Sequence, residues 1–373
     1  MRDLSKEIMD EMSLDEKIGQ LFFVRPEALE GRNVDTTVDP TILEKSYEEQ
    51  SEKDKIPTTS ISGIQIENLQ RFPVGGVAFF GKNIVTREQV ASYIIDLQKN
   101  SKYTMFIGVD EEGGLVSRLG NKEGMGVTKY PDMRSIGDTK DVNNAYNVGS
   151  TLASEMRNLG FNMDFAPIAD IQTNPGNKVI GNRAFSTEAT EVAKMVEAAV
   201  RGFLSQNFSS TLKHFPGHGQ TLKDSHIGIA GSDVDLSTLL SREAIPFKAG
   251  IDAGADFVMT GHISLPNILS NHIPATMSKE IMTNILRESL GFKKIIITDS
   301  LEMKAILNYY KTDEIITNCI MAGVDILLMP KSLEEYFNRL KRMIVEDLIK
   351  EERINESTER ILDVKVDRGI IRR

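Results

Sequence analysis

The 373-residue sequence has no tryptophan, one cysteine and five histidines. A single cysteine, Cys319, excludes an internal disulfide framework and a cysteine-rich zinc module, and its apolar helical surroundings predict a core position. No apolar run approaches the roughly 18 residues that a membrane-spanning helix needs, and the charged N-terminus lacks the apolar core of a signal peptide. We therefore expect a soluble protein without a membrane span. Its expected location is the cytoplasm, or the cell wall or the medium if a leader was removed.

Basic residues are also in the minority. The chain has 44 Lys and Arg against 54 Asp and Glu, which gives a formal net charge of −10. Because no basic block offsets this charge, the composition argues against binding to nucleic acid or to an anionic membrane. Hydrophobic and charged contents of 40% and 26% are ordinary for a globular protein and exclude wholesale disorder. We expect a monomer.

Eight short runs rich in β-branched and aromatic residues are spaced along the chain, and most are almost continuously apolar. This pattern is typical of parallel strands whose outer faces are covered by helices. Amphipathic patterns separate the runs; in Thr86–Asn100, Val90, Tyr93, Ile94 and Leu97 fall on one stripe. The predicted strands are Leu21–Val24, Gly75–Phe80, Thr104–Asp110, Asn162–Asp170, Ser210–Phe215, Ala255–His262, Lys293–Asp299 and Val324–Pro330.

A strand followed by a helix, eight times, predicts an α/β fold of the (β/α)8 TIM-barrel type, with residues 1–373 as a single domain. A doubly wound open sheet is the main alternative. Such sheets usually have fewer strands and a glycine-rich phosphate turn after the first, where this chain has Arg25-Pro26. The polar stretch 28–60 is expected to be an insertion after the first strand. Flanking helices are predicted at Leu4–Gly19 and Asn355–Val366.

Charged residues lie where the predicted strands end, and the active site of a barrel is built at that edge. Strand 3 ends at Asp110, strand 5 at Lys213-His214 and strand 7 at Asp299, and Arg183 lies in the loop after strand 4. Each residue also has a structural explanation. The two aspartates could cap helices, Arg183 could pair with a nearby acid, and Lys213-His214 could be an ion pair beside a hydrogen-bonded histidine.

The loop after strand 5 places Asp224 two residues before His226. A carboxylate beside an imidazole orients the ring and stabilises its protonated form, which suits a proton donor that works near neutral pH. A helix cap beside a surface histidine is the alternative. His214, His218 and His226 could instead ligate a metal. Barrel metallohydrolases usually carry His-x-His after strand 1, however, and this chain has Phe22–Arg25 there, so we expect no metal and no cofactor.

The segment Lys213–His226 (KHFPGHGQTLKDSH) resembles the hallmark of family 3 glycoside hydrolases, in their β-N-acetylglucosaminidase or NagZ-type branch. Further segments agree with that family in chain order, so that the match covers nearly the whole sequence. They are Met12–Phe22, Gly108–Gly114, Phe165–Ile171, Ile180–Phe185, Met259–Pro266, Pro274–Phe292 and Ile297–Met303.

The resemblance implies a retaining exo-β-N-acetylglucosaminidase that releases non-reducing terminal β-linked N-acetylglucosamine from peptidoglycan fragments. Asp299 would be the nucleophile that forms a covalent glycosyl-enzyme, and Asp224 with His226 would form the acid/base dyad. Retaining hydrolysis requires these two functions on opposite sides of the scissile bond. Four further residues would hold the sugar at its non-reducing end: Asp110, Arg183, Lys213 and His214.

Two positions depart from the family pattern. Leu115 follows Gly114 where an arginine is common, and Ser300 follows Asp299 where a second acid is frequent. Many β-glucosidases of the family take their acid/base from a second domain, and we expect none here, because the sequence stops soon after the eighth predicted unit. This expectation, together with the Asp224–His226 loop, favours the N-acetylglucosaminidase interpretation. A β-glucosidase- or β-xylosidase-like hydrolase and a catalytically silent sugar-binding barrel remain the alternatives.

Overall fold

The computed structural model describes residues 2–32, 56–221, 230–270 and 273–372. Its core is one eight-stranded parallel sheet in the order β7-β6-β5-β4-β3-β2-β1-β8. A parallel bridge between Ile297 and Ile326 joins the two edge strands, so the sheet closes into a barrel and the predicted fold is confirmed. The strands are β1 (Phe22–Val24), β2 (Gly76–Phe79), β3 (Phe106–Val109), β4 (Met163–Asp164), β5 (Ser209–Phe215), β6 (Phe257–Thr260), β7 (Ile295–Thr298) and β8 (Leu327–Leu328).

Aromatic rings and glycines pack together inside the barrel. The rings of Phe23 and Phe165 meet edge to face with centroids 5.4 Å apart. A Cβ at Gly76 would lie 2.5 Å from the Phe23 ring, and one at Gly108 would lie 3.0 Å from the Phe165 ring. The rings occupy the space that side chains at these two positions would need. The strands therefore pack around a filled interior, as in other small parallel barrels.

Helices cover the outside of the barrel, and their buried stripes explain the predicted amphipathic patterns. In Arg87–Asn100 the predicted stripe of Val90, Tyr93, Ile94 and Leu97 is buried, and Thr86 caps the first turn as expected. The other main helices are Gly63–Arg71, Val142–Arg157, Ala189–Ser205, Ala244–Ala253, Glu280–Ser289 (a π-helix), Thr312–Ala322 and Leu333–Val345. No helix of the described residues combines the length and apolar character needed to cross a bilayer.

Several predicted elements have different bounds in the structure; for example, the predicted strand Val324–Pro330 pairs as a strand only over Leu327–Leu328. The predicted helix Leu4–Gly19 is two helices, Arg2–Glu11 and Leu14–Gln20, because Ser13 and Glu16 form a capping box that starts a new helix. The predicted strand Asn162–Asp170 pairs as a strand only over Met163–Asp164. Pro167 has no N–H to donate to a ladder, and the chain continues to the mouth with one bridge, from Ile168 to Lys213.

The base of the barrel is covered by the C-terminal helix Glu351–Asp367, which begins four residues before the predicted one. Its Lys365 side chain is completely buried; the ammonium donates to Oε1 of Gln20 at 2.7 Å and lies 5.2 Å from the Phe106 ring centroid. Burial lowers the pKa of Lys365 to about 7. Most of the expected insertion 28–60 falls outside the described residues.

Candidate active site

A buried lysine joins two acids at the carboxyl edge of the barrel. The Lys213 ammonium, on β5, lies 2.7 Å from Oδ1 of Asp110 and 2.6 Å from Oε1 of Glu112. Asp110 directly follows β3, and Glu112 lies in a short hairpin, Glu111–Gly113 with Val116–Ser117. Burial alone would lower the pKa of Lys213, but the two carboxylates outweigh it and raise that pKa above its usual value. Lys213 is therefore a fixed cation in this part of the mouth.

Arg183 extends this cluster to the loop after β4. Its Nε and Nη2 donate to Oε2 and Oε1 of Glu112, both at 2.8 Å, and its Nη1 donates to the carbonyl of Val179. Burial by itself would raise the pKa of Glu112. Arg183 and Lys213 hold that pKa well below its ordinary value instead, so Glu112 is a carboxylate at any working pH. The cluster of Asp110, Glu112, Arg183 and Lys213 is prearranged by its own ion pairs.

A second buried acid, Asp170, organises the start of the loop after β5. Its Oδ2 accepts the backbone N–H of His214 at 3.1 Å and lies 2.8 Å from His214 Nδ1, while Oδ1 accepts the N–H of His218 at 2.6 Å. Burial opposes ionisation, but His214 and the His218 N–H hold the pKa of Asp170 below its usual value. One carboxylate therefore sets the orientation of the His214 ring and the path of the chain through His218.

The His218 ring interacts electrostatically with both Asp170 and Asp299. Burial, together with the neighbouring His214, lowers the pKa of His218 to about 4, against the opposing fields of Asp170 and Asp299. The ring is therefore neutral near pH 7, and its Nδ1 is 2.7 Å from the hydroxyl of Thr221.

Asp299 directly follows β7 and is half-buried at the mouth. Its N–H donates to the carbonyl of Thr260, which ties the end of β7 to β6, and its Oδ1 accepts the N–H of Ser300 at 2.7 Å. The ring of His262 supports the next residue, because its Nε2 donates to the carbonyl of Ser300 at 3.0 Å. A carboxylate held in this way on a strand end has a well-defined position.

Each described histidine has at least one ring nitrogen against a partner within the protein. His214 faces Asp170, His218 faces Thr221, and His262 lies between Thr276 and the carbonyl of Ser300. Within the part of the chain that the structure describes, no three His, Cys, Asp or Glu side chains are grouped in a way that could hold a metal ion.

The structure brings Asp110, Arg183, Lys213 and His214 to one side of the mouth, with Asp299 at the end of β7, as the predicted strand ends require. Arg183 does pair with an acid, Glu112, as its structural explanation predicts. This ion pair is compatible with a role of Arg183 in sugar binding. Asp224 and His226 lie outside the described residues, so their predicted roles stay predictions.

Three residues that organise the site are absent from the predicted set: Glu112, Asp170 and His262. Residues two apart on an extended chain point to the same side, so Asp110 at the mouth indicates that Glu112 is there too. Asp170 and His262 were visible only as the last polar residues of predicted strands. Their hydrogen-bond partners come from other strands, and no local pattern identifies them.

A closed parallel barrel with a buried charged cluster and a strand-end carboxylate at its carboxyl edge has the architecture of a barrel enzyme. Residues 13–364 match the family model described as the Glycosyl hydrolase family 3 N terminal domain. The chain belongs to glycosyl hydrolase family 3, and the resemblance noted in the sequence is confirmed.

Curated relatives and solved structures agree. The chain is 33% identical over 327 residues to Beta-hexosaminidase A of Pseudoalteromonas piscicida, covering 80% of this chain and 54% of that protein. It is 33% identical over 277 residues to the Beta-hexosaminidase of Xylella fastidiosa strain 9a5c, covering 73% and 80%. A family 3 beta-N-acetylglucosaminidase structure from Paenibacillus sp. str. FPU-7 aligns with TM-score 0.82 and 32% identity over 96% of this chain and 63% of that one. The chain thus spans about half of the first relative's length.

Proposed function

We propose that this protein is a retaining exo-β-N-acetylglucosaminidase that releases non-reducing terminal N-acetylglucosamine from peptidoglycan fragments. The observation that carries the proposal is the position of Asp299. Its carboxylate lies at the end of β7, in the same mouth whose β3–β5 side holds the cluster of Asp110, Glu112, Arg183 and Lys213. The relatives named beta-hexosaminidases support the choice of sugar.

The proposed first step uses Asp299 as the nucleophile. One carboxylate oxygen attacks C1 of the terminal sugar, the bond from C1 to the leaving oxygen breaks, and a covalent glycosyl-enzyme forms. The Ser300 N–H on Oδ1 holds the carboxylate in place for this attack. Asp110, Arg183, Lys213 and His214 bind the sugar hydroxyls, and Glu112 keeps the two cations, Arg183 and Lys213, in position.

Proton transfer is assigned to His226, with Asp224 as its partner. His226 gives a proton to the leaving oxygen in the first step and accepts one from water in the second. Water then displaces Asp299 from C1, and the sugar leaves with its original anomeric configuration. Imidazole suits both directions because its ordinary pKa of about 6.5 lies near neutral pH.

The nucleophile is tested by replacing Asp299. With 4-nitrophenyl β-N-acetylglucosaminide, Asp299→Asn should lower kcat by roughly 1,000-fold or more. Added azide should restore turnover to Asp299→Ala and yield the α-glycosyl azide, since azide enters from the face that the carboxylate vacates. Asp252→Asn, an exposed aspartate on the outer helix Ala244–Ala253, is the matched control and should retain wild-type turnover. Undiminished turnover by Asp299→Asn would remove the nucleophile from the proposal.

The substrate class is tested by a panel of N-acetylglucosaminyl-anhydro-N-acetylmuramic acid, chitobiose and cellobiose. We expect the first to be the best substrate and cellobiose to be inert. Hydrolysis of cellobiose at a comparable rate would establish a β-glucosidase-like enzyme. Tight binding of the amino sugars without any hydrolysis would establish a sugar-binding barrel.

A further inference from the structure

A second group of charges lies at the mouth, away from the Lys213 cluster. Arg25 follows β1, Lys82 lies in the turn Gly81–Asn83 after β2, and Glu302 is three residues beyond Asp299. Arg25 Nε is 3.3 Å from Glu302 Oε2, and Lys82 Nζ is 3.6 Å from Oε1 of Glu27, which also follows β1. The ends of β1, β2 and β7 are thereby joined by alternating charges.

Arg25 is fully engaged in this group. Its guanidinium lies over the Phe80 ring at 4.1 Å from the centroid, and its Nε also points to the sulfur of Met329 at 3.1 Å. Its side chain is only 7% exposed. Arg25 therefore acts as a structural link between strand ends, and its cationic face is covered by an aromatic ring.

Lys82 is held much more loosely. An ammonium has three N–H donors. Within the described residues, Lys82 has one ion-pair contact, to Glu27, and its 3.6 Å separation is long for a charge-assisted hydrogen bond. Glu302 attracts the ammonium from farther away, and Arg25 repels it. Oε1 of Glu27 already accepts from Asn83 Nδ2 at 2.6 Å. Burial lowers the pKa of Lys82, with Glu27 opposing, although 18% of its side chain still reaches solvent.

The turn that carries Lys82 is firmly supported. The ammonium of Lys122 donates to the carbonyls of Gly81 and Ile84, and Asn83 Oδ1 accepts the N–H of Phe80 at 3.0 Å. The backbone position of Lys82 is thus set by neighbouring groups. Among the residues that the structure describes, the Lys82 ammonium has only its contact with Glu27 for three N–H donors.

We propose that the Lys82 ammonium binds a carboxylate on the saccharide that leaves when the glycosidic bond is cleaved. The terminal sugar is assigned to the β3–β5 side, with C1 at Asp299, so the leaving saccharide extends toward the remaining part of the mouth, where Lys82 and Glu302 lie. A partly desolvated ammonium recognises an anion more strongly than a solvated one does. A local cationic group is important for binding an anionic ligand here, because the chain has a net charge of −10 and its surface as a whole repels anions.

This inference rests on the proposed function, in which the leaving saccharide is an N-acetylmuramic acid unit that carries a lactyl carboxylate. The Lys82 contact would let the enzyme distinguish anionic from neutral leaving saccharides. Glu27, which faces Lys82, favours the charged form of the ammonium and opposes the lowering of its pKa by burial. The recognised group is the carboxylate on the sugar, so a substrate without attached peptide should suffice.

The test compares two disaccharides that differ in one charge. N-acetylglucosaminyl-anhydro-N-acetylmuramic acid and its lactyl methylamide have the same sugars, but only the first is an anion. For the wild type, kcat/KM should favour the acid by roughly 10-fold, the value of one charge-assisted contact. Lys82→Met should bring the ratio near 1, Lys82→Arg should preserve most of it, and Lys99→Met, an exposed lysine of the outer helix Arg87–Asn100, should leave it unchanged.

An acid-to-amide ratio near 1 in the wild type, or an unchanged ratio in Lys82→Met, would overturn the inference. If the wild type hydrolyses neither disaccharide, the proposed function fails, and binding still decides the question of Lys82. Calorimetric titration of the full chain with anhydro-N-acetylmuramic acid and with its methylamide then gives two Kd values, whose ratio measures the preference for the acid. A preference for the acid that Lys82→Met abolishes supports the carboxylate contact, and equal binding rejects it.

Discussion

Arg183 and Glu112 form a bidentate ion pair in which Nε and Nη2 each lie 2.8 Å from a different carboxylate oxygen. The pair joins the loop after β4 to the hairpin after β3, and Lys213 on β5 binds the same carboxylate. Two parallel N–H donors from Arg183 and a second cation, Lys213, fix the position of the Glu112 carboxylate. The sugar-binding side of the mouth is therefore assembled before a substrate enters, which avoids ordering costs during binding.

Replacing Glu112 by glutamine should be costly for stability. Glu112→Gln keeps the volume but leaves Lys213 and Arg183 with less negative charge in a buried place, and losing one partner of a buried ion pair costs about 3–5 kcal/mol. The free energy of unfolding from urea titration measures the loss. Glu197→Gln, which disrupts the exposed pair with Arg201 on an outer helix, should change it by less than about 1 kcal/mol. Equal effects of the two substitutions would contradict this account of Glu112.

Asp170→Asn should impair sugar binding more than it impairs folding. The amide cannot present two carboxylate oxygens to the His214 N–H, the His214 ring and the His218 N–H. We expect kcat/KM to fall by about 10- to 100-fold, mainly through KM, because His214 is assigned to the sugar and not to bond cleavage. A drop confined to kcat would contradict the assignment. Steady-state kinetics on the chromogenic substrate distinguish the two results.

Gly219 is a position where backbone packing requires glycine. A Cβ there would lie 1.7 Å from the carbonyl oxygen of Ile171, and that oxygen belongs to the backbone, so the chain itself would have to move. Gly219→Ala should lower the free energy of unfolding by more than about 2 kcal/mol and reduce activity, because the loop after β5 shifts. Gly63→Ala, with nothing within 4 Å, is the control and should be neutral or slightly stabilising. Denaturation and activity assays on both variants check this.

Lys365 should make stability rise with pH above neutrality. Its pKa is about 7 in the folded chain and about 10.5 when exposed, so between these values the unfolded chain binds a proton that the folded chain has released. Unfolding then becomes harder as pH rises, by about 1.4 kcal/mol per pH unit from this group. Lys365→Met removes the dependence. The free energy of unfolding of Lys365→Met minus that of the wild type should therefore fall by that slope between about pH 7.5 and 9.5.

The control for this experiment is Lys350→Met, which removes an exposed lysine. Its unfolding free energy should run parallel to that of the wild type over the same pH range. Parallel curves for Lys365→Met as well would mean that the buried amine is not the source of the pH dependence.

The barrel was predictable because each of its strands is marked by its own residues. A run such as Ile295–Thr298, apolar on both faces, suits a strand that lies between a packed interior and a covering helix. The boundaries were less predictable. The break at Ser13 was readable from its capping box with Glu16, whereas the shortening of β4 depends on where Pro167 meets the neighbouring strand. Ladder pairing is a property of two segments, and the pattern of one segment does not contain it.

The candidate site divides in the same way. Residue order alone puts Asp110, Lys213 and Asp299 at strand ends, and in a parallel barrel all those ends share one edge. The partners of these residues follow only from the closed barrel. Glu112 joins Arg183 and Lys213 from two other segments, and Asp170 reaches His214 from a neighbouring strand, because desolvated charges must find opposite charges wherever the fold brings them. Local pattern thus selects which residues reach the mouth, and long-range packing selects which of them meet.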